Sequence, residues 1–188
     1  MRNDLLDPSR GYYLNIGVSP YDDLLGSGLS FFKEEAAYSR YFRLSTSPSL
    51  LLAARGNIGV IEGASLTEIP ADLRFYAGGG GSIRGYAYQT AGPLINGTPT
   101  GGKSLFVVST ELRTKISESV GLVFFIDGGS VFQSSLPDLG EPIFWGAGVG
   151  FRYFTSVGPL RLDVALPVNP REGVDDAFQI YVSLGQAF

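Results

Sequence analysis

Apolar and polar residues alternate with a period of two along most of the chain, and no stretch carries a helical period. Across residues 159–168, Leu160, Leu162, Val164, Leu166 and Val168 fall on one face of a strand, while Arg161, Asp163 and Ala165 fall on the other. Residues 145–155 repeat this, with Trp145, Ala147, Val149, Phe151 and Tyr153 against Gly146, Gly148, Gly150 and Arg152. The last segment sets Phe178, Ile180, Val182 and Leu184 against Gln179, Tyr181, Ser183 and Gly185. Upstream, Leu122, Phe124 and Ile126 oppose Gly121, Val123, Phe125 and Asp127, and Phe106, Val108 and Leu112 oppose Ser109, Glu111 and Arg113. Three further strands, at 11–19, 31–44 and 50–61, bring the expected number to eight. The segment 31–44 is the least regular, because Arg40 shares a face with Tyr38 and Phe42, and this points to a misplaced register or end.

The joins between these strands alternate in length. Short turns are expected at 45–49, 117–119 and 156–158, and longer links at 20–28, 62–102, 133–144 and 169–177. Short and long joins therefore fall on opposite ends of the strands, as in an antiparallel transmembrane β-barrel of the outer membrane. All eleven prolines fall in loops or at strand ends, where a missing N–H costs no ladder bond. A soluble β-sandwich also alternates its faces. Against it, the polar face carries glycine, serine and isolated charges, which suits an enclosed lumen better than open water. Aromatic residues also gather near strand ends, where interfacial girdles would lie: Tyr12, Tyr13, Phe31, Phe32, Tyr41, Phe42, Trp145, Tyr153, Phe154, Phe178 and Phe188.

Composition sharpens the picture. Only 17% of residues are charged, against roughly 25% in typical soluble domains. There are 26 glycines, and mean hydropathy is +0.14. The longest uncharged apolar run, 120–126, is far too short for a spanning helix, so any membrane crossing falls to strands. The absence of histidine and cysteine excludes histidine-base catalysis, thiolate metal sites and disulfides, and suits passage through an oxidising compartment. No cofactor or metal is expected. A net charge of −4 leaves no footprint for nucleic acid. An enzyme would need carboxylates or a serine with another base, and Glu111, Asp127 and Asp163 form no recognisable catalytic pattern. No apolar stretch of signal-peptide length follows Met1, which suggests a removed signal or an excerpt.

The join 62–102 is far longer than usual and contains Gly78-Gly79-Gly80-Gly81-Ser82-Ile83-Arg84-Gly85-Tyr86. It lacks the Gly-Lys-Ser/Thr ending of a phosphate loop. Its first five residues have the composition of a flexible tether, although the continuation Ile83-Arg84-Gly85-Tyr86 is specific.

An ordered set of motifs includes Phe75-Tyr76-Ala77-Gly78-Gly79, Ser82-Ile83-Arg84-Gly85-Tyr86, Gly101-Gly102 and Ser109-Thr110-Glu111-Leu112-Arg113. It continues with Phe125-Ile126-Asp127-Gly128-Gly129, Gly146-Ala147-Gly148-Val149-Gly150 and Gly158-Pro159-Leu160-Arg161-Leu162-Asp163. Together these resemble the C-terminal half of the barrel in TamA-like members of the BamA/TamA outer-membrane assembly and secretion superfamily. The resemblance covers nearly the whole chain. It implies the last eight strands of a sixteen-stranded barrel across residues 1–188, a lumen-type loop at about 62–102, and no POTRA domains within the chain. The implied loop tip is Ile83, Arg84, Gly85 and Tyr86, and the implied lumen-wall partners are Glu111, Phe125, Asp127 and Gly129.

Periodicity independently turns Glu111 and Asp127 to the polar face. A guanidinium held away from bulk water needs carboxylates that accept its parallel N–H groups. Alternatively, Glu111 pairs with Arg113 or Arg152 in an ordinary lumen network. Eight strands closed on themselves would leave no room for so long a loop. The chain is therefore expected to be either an excerpt or a reduced barrel whose loop stays outside.

By resemblance, the function is assembly or translocation of β-barrel and autotransporter clients at the bacterial outer membrane, through a lateral seam. The implied partners are the lipid bilayer, unfolded clients and a TamB-like inner-membrane-anchored protein. The seam strand is expected at 178–188, with Phe178, Ile180, Val182, Leu184, Gly185 and Phe188, and Gly185 marks a position where it can bend inward. A self-contained small barrel or porin with a structural or adhesive role is the alternative.

Overall fold

The computed structural model describes all residues except 1, 5, 6, 23–25, 27, 157 and 187. Parts of the expected joins 20–28 and 156–158 therefore lie outside the described residues. Among the described residues, ten strands occur in chain order: β1 (Gly11–Tyr21), β2 (Phe31–Thr46), β3 (Ser49–Glu62), β4 (Leu94–Ile95), β5 (Thr98–Pro99), β6 (Ser104–Lys115), β7 (Val120–Phe132), β8 (Phe144–Thr155), β9 (Gly158–Pro167) and β10 (Gln179–Leu184). Eight form one antiparallel sheet in the order β1-β2-β3-β6-β7-β8-β9-β10, and β4 and β5 form a small hairpin within the long join. Each strand of the large sheet lies beside its nearest sheet neighbour in sequence, as hairpin connections dictate. The sheet does not close: β1 and β10 are its edges.

The alternation in the sequence becomes two unlike faces. Leu160, Leu162, Val164 and Leu166 of β9 are exposed, whereas Arg161, Asp163 and Ala165 are buried. On β7, Phe124 and Ile126 are exposed, and Val123, Phe125 and Asp127 are buried. Burying charge while exposing leucine inverts the soluble pattern and suits a wall with lipid outside.

The alternation of β2 holds through Phe42, but its end was misplaced: the strand runs to Thr46, with a register shift between Arg43 and Ser45. Arg40 is exposed beside Tyr38 and Phe42, with its guanidinium 5.2 Å from the Phe42 ring centre and 6.0 Å from that of Tyr12. Aromatic faces receive the cation that broke the pattern.

Two expectations need correction. Several aromatics assigned to girdles do not face outward: Phe31 and Tyr41 are buried on the inner side. The last strand is also shorter than 178–188. It ends at Leu184, so Phe178, Gly185 and Phe188 lie outside it. Gly185 adopts a φ of +89°, a conformation glycine tolerates, and donates its N–H to the Pro159 carbonyl at 2.8 Å. Beyond it, the Phe188 ring lies 6.4 Å from that of Tyr41 and packs on a buried cluster of Tyr41, Leu51 and Ala53.

The long join packs against the inner face. Ile69, Phe75, Ala77, Ile83, Tyr86 and Ala91 of the join share one buried cluster with Phe31, Ile61, Val107, Val131 and Phe144 of the wall. Burying an aliphatic or aromatic side chain of this size is worth about 1.5–3 kcal/mol, so this cluster supplies a hydrophobic reason for the join to fold inward. Phe75 and Gly102 exchange two backbone hydrogen bonds at 3.0 Å, closing the neck of the join.

Candidate functional site: an arginine-anchored loop on the inner wall

The glycine run is a folded turn, which sets aside the tether reading. Gly78 and Gly79 are buried, and the Gly79 N–H reaches the carbonyls of Ile83 and Tyr86 at 3.2 and 3.1 Å. Ser82 Oγ accepts from the Gly78 N–H at 2.8 Å. The wall holds the turn by its carbonyls: Arg161 donates to Gly80 O at 3.0 Å and Arg55 to Gly81 O at 3.1 Å.

This turn projects Arg84 into the wall, where it is 2% exposed. Its Nε donates to Asp127 Oδ2 at 2.7 Å, and its Nη2 to Asp127 Oδ1 at 2.9 Å. Nη1 is shared between Glu111 Oε1 at 2.7 Å and Asp163 Oδ2 at 3.1 Å. The guanidinium carbon sits 3.5 Å from the centre of the Phe125 ring. Three carboxylates thus surround the cation in its own plane and an aromatic face lies against it, using the hydrogen-bonding and stacking capacity peculiar to arginine.

The acids come from three strands of the sheet: Glu111 from β6, Asp127 from β7 and, across β8, Asp163 from β9. A second ring of cations balances them. Arg113 Nε donates to Glu111 Oε2 at 2.8 Å, Arg152 Nη1 donates to Asp163 Oδ1, and Arg161 Nε lies 3.2 Å from Asp163 Oδ2. Glu111 therefore serves both the loop and the lumen network, and the two alternatives for it coexist. Buried charge at this density requires such pairing.

The alternate glycines of β8 make room for this assembly. A Cβ on Gly146 would collide with the Arg84 carbonyl, one on Gly148 would lie 2.6 Å from the Phe125 ring, and one on Gly150 would meet Asp163 and Arg152. The row Gly146, Gly148 and Gly150 is thus a flat slot in the wall. Gly85 continues the fit with a φ of +103°, and a Cβ there would lie 2.7 Å from the Leu166 carbonyl. Gly129 lies in β7 against β6, where a Cβ would meet the Phe106 carbonyl.

Tyr86 completes the tip. It is buried, its ring meets Phe144 edge-on at 5.3 Å, and its hydroxyl donates to Asn169 Oδ1 at 2.9 Å. Burial raises the Tyr86 hydroxyl above its ordinary pKa. Tyr181 of β10 accepts from the Gly85 N–H at 3.0 Å and donates to Tyr86 O at 2.9 Å, tying the edge strand to the loop. Ile83 lies in the hydrophobic cluster.

Asp163, Tyr181 and Asn169 are partners that the motif-based reading did not assign. Asp163 carried a usable signal, since it stands in the same inward row as Arg161 and Ala165. Of the expected seam residues, Ile180, Val182 and Leu184 are exposed on the outward face of β10. Phe178, Gly185 and Phe188 are not part of that strand. Among the described residues, no group of three or more acidic side chains is placed to hold a metal ion.

Comparison with known proteins agrees with this fold. The chain is 27% identical to the outer membrane protein assembly factor BamA of Neisseria meningitidis serogroup B, over 96% of the chain and 26% of BamA. It is 27% identical to the sorting and assembly machinery component 50 homolog of Xenopus tropicalis, over 92% of the chain and 40% of that protein. The chain thus spans well under half the length of these relatives. The crystal structure of BamA from Haemophilus ducreyi lacking POTRA domains 1–3 superposes with a TM-score of 0.78 at 23% identity, covering 96% of this chain and 39% of that one, and so shares its fold. The expected location, the bacterial outer membrane, is that of BamA. The Omp85 superfamily domain matches residues 1–188, and the chain belongs to that superfamily.

Proposed function

We propose that this chain forms the closing wall of an assembly barrel that inserts β-barrel and autotransporter clients into the outer membrane. The observation that carries this reading is the contrast between a firmly anchored loop and a weak edge. Arg84 fixes the loop to β6, β7 and β9, whereas β10 pairs with β9 over only six residues, against ten between β8 and β9. A short edge strand exposes unpaired backbone groups to which a client strand can add. The action is mechanical, with no bond made or broken in the client, and calls for no catalytic residue.

The test uses the full-length protein in liposomes, presented with a urea-unfolded outer-membrane client whose folding is followed by heat-modifiable mobility. Acceleration of folding is expected. A disulfide engineered between β10 and the opposing first strand is expected to abolish it until reductant is added; the chain itself contains no cysteine to interfere. Equal folding rates with and without the protein contradict the proposal.

The motif order supports the narrower reading of a TamA-like protein with a TamB-like partner, while the relatives above are BamA and sorting-machinery proteins. Crosslinking in cells distinguishes them: a TamA-like protein captures a TamB-like inner-membrane-anchored protein, and a BamA-like one does not.

A further inference from the structure

Away from the Arg84 anchor, a second group of cations lies at the short-turn end of the inner wall. Arg43 of β2, Arg113 and Lys115 of β6 and Arg152 of β8 line a cavity of about 210 Å³, and Asp7 is the acid on its lining. Lys115 engages Asp7 at 3.2 Å. Glu111 and Asp163 pair with Arg113 and Arg152 but are shared with Arg84 and Arg161, so the cavity keeps an excess of positive charge.

Two of these guanidinium groups have spare donors. Arg113 is 7% exposed and Arg152 1%. Arg113 uses Nε on Glu111 and Nη2 on the Phe188 carbonyl, and its Nη1 has no hydrogen-bond partner among the described residues. Arg152 uses Nε on Gln186 and Nη1 on Asp163 and the Phe151 carbonyl, and its Nη2 likewise has none.

The Arg152 side chain reaches the rung of the wall that carries Arg113. Arg113 stands opposite Val123, and Val123 opposite Gly150. A Cβ on Gly150 would lie 3.1 Å from Arg152 Nη2, so the Arg152 side chain folds back over that same rung. A buried donor without a partner is costly, and two of them on side chains that line one cavity mark a place for an acceptor.

We infer that this cavity binds a phosphate group, either free or carried on a lipid headgroup. A phosphate offers several acceptor oxygens to the two forks at once, and its negative charge, nearly −2 on the free ion and single on a lipid diester, offsets part of the excess. The site is separate from the loop anchor and does not depend on the proposed assembly activity.

The test is calorimetric titration of the folded full-length protein in detergent with inorganic phosphate, with short-chain phosphatidylglycerol and with acetate. Saturable binding of phosphate identifies a free-ion site, and binding of the phospholipid alone identifies a headgroup site; either supports the inference. Arg113→Gln is expected to weaken binding at least tenfold, and Arg43→Gln about threefold. Heat-modifiable mobility checks the fold of each variant. If Arg113→Gln does not fold, Arg43→Gln decides, because Arg43 lies at the exposed rim. Binding unchanged in the folded variants, no saturable binding of either phosphate ligand, or acetate binding as tightly as phosphate overturns the inference.

Discussion

Arg84 and Asp127 form a two-pronged ion pair at 2.7 and 2.9 Å, and the backbone N–H of Arg84 adds a third bond to Asp127 Oδ2 at 3.1 Å. One wall carboxylate therefore fixes both the side chain and the backbone of the loop tip. Glu111 and Asp163 hold the remaining guanidinium nitrogen, so removing Arg84 strips Asp127 of its ion pair and leaves Glu111 and Asp163 to Arg113, Arg152 and Arg161, with all three acids 0% exposed. Breaking a buried pair from one side typically costs about 3–5 kcal/mol. Arg84→Ala is expected to release the loop, and limited proteolysis of the folded protein should cut within residues 63–103. Arg84→Lys retains the charge without the planar fork and should fall between the two. An Arg84→Ala protein as resistant as the parent rules out the anchor.

Tyr181 connects β10 to the same tip through one accepted and one donated hydrogen bond, at 3.0 and 2.9 Å. Tyr181→Phe keeps the ring and loses both. Each such bond contributes about 0.5–1.5 kcal/mol net, and the Gly85 N–H is left without its partner. Amide exchange at Gly85 is expected to rise by about tenfold, with the Asp127 pair intact. Unchanged exchange indicates that water replaces the hydroxyl without loss.

The sequence carried the wall more fully than the anchor. Period two is a direct consequence of strand geometry, so the outward row Leu160, Leu162, Val164 and Leu166 could be read without tertiary information. The inward position of Glu111, Asp127 and Asp163 followed from the same parity. That these three converge on one guanidinium did not follow, because convergence depends on the path of a join about 40 residues long. The hairpin of β4 and β5 was legible in principle: Asn96-Gly97 between Ile95 and Thr98 is a two-residue turn signal, and both residues take positive φ, at +52° and +78°. The end of β10 was overestimated because the alternation continues to Phe178 and Gly185 although the pairing does not.

The glycine slot of β8 leads to a steric prediction that leaves every charge in place. A Cβ on Gly146 would meet the backbone carbonyl of Arg84, which cannot swing aside as a flexible side chain would. Overpacking of this kind costs roughly 1–3 kcal/mol. Gly146→Ala should therefore expose the loop to protease much as Arg84→Ala does, whereas Ala147→Val, on the outward face of the same strand, should leave cleavage unchanged. Equal resistance of Gly146→Ala and the parent argues that the tip does not sit against β8.

The join after β9 is pinned to the long loop by a pair that responds to pH. Asp175 accepts from Arg171 Nη2 and the Arg171 backbone N–H at 2.7 Å and from Arg171 Nε at 3.0 Å, while Arg171 Nη2 also reaches Thr90 O at 2.7 Å. Partial burial pushes the Asp175 carboxyl up, but the hydrogen bonds and charge of Arg171 outweigh it, and the net pKa lies below the usual carboxylate value. A lowered pKa in the folded state stabilises the clasp above the unfolded value of about 3.9, and that contribution disappears as pH falls through the folded value. With Arg171 partly exposed, the effect is of order 1 kcal/mol, or about fivefold in local opening. Exchange of the Arg171 amide, after correction for its intrinsic pH dependence, is expected to rise by that factor as the pH drops below about 4. In Asp175→Asn it should be raised by a similar factor at neutral pH and lose this acid dependence. A parent protein with flat corrected exchange across that range assigns the clasp to Arg171 and the loop carbonyls alone.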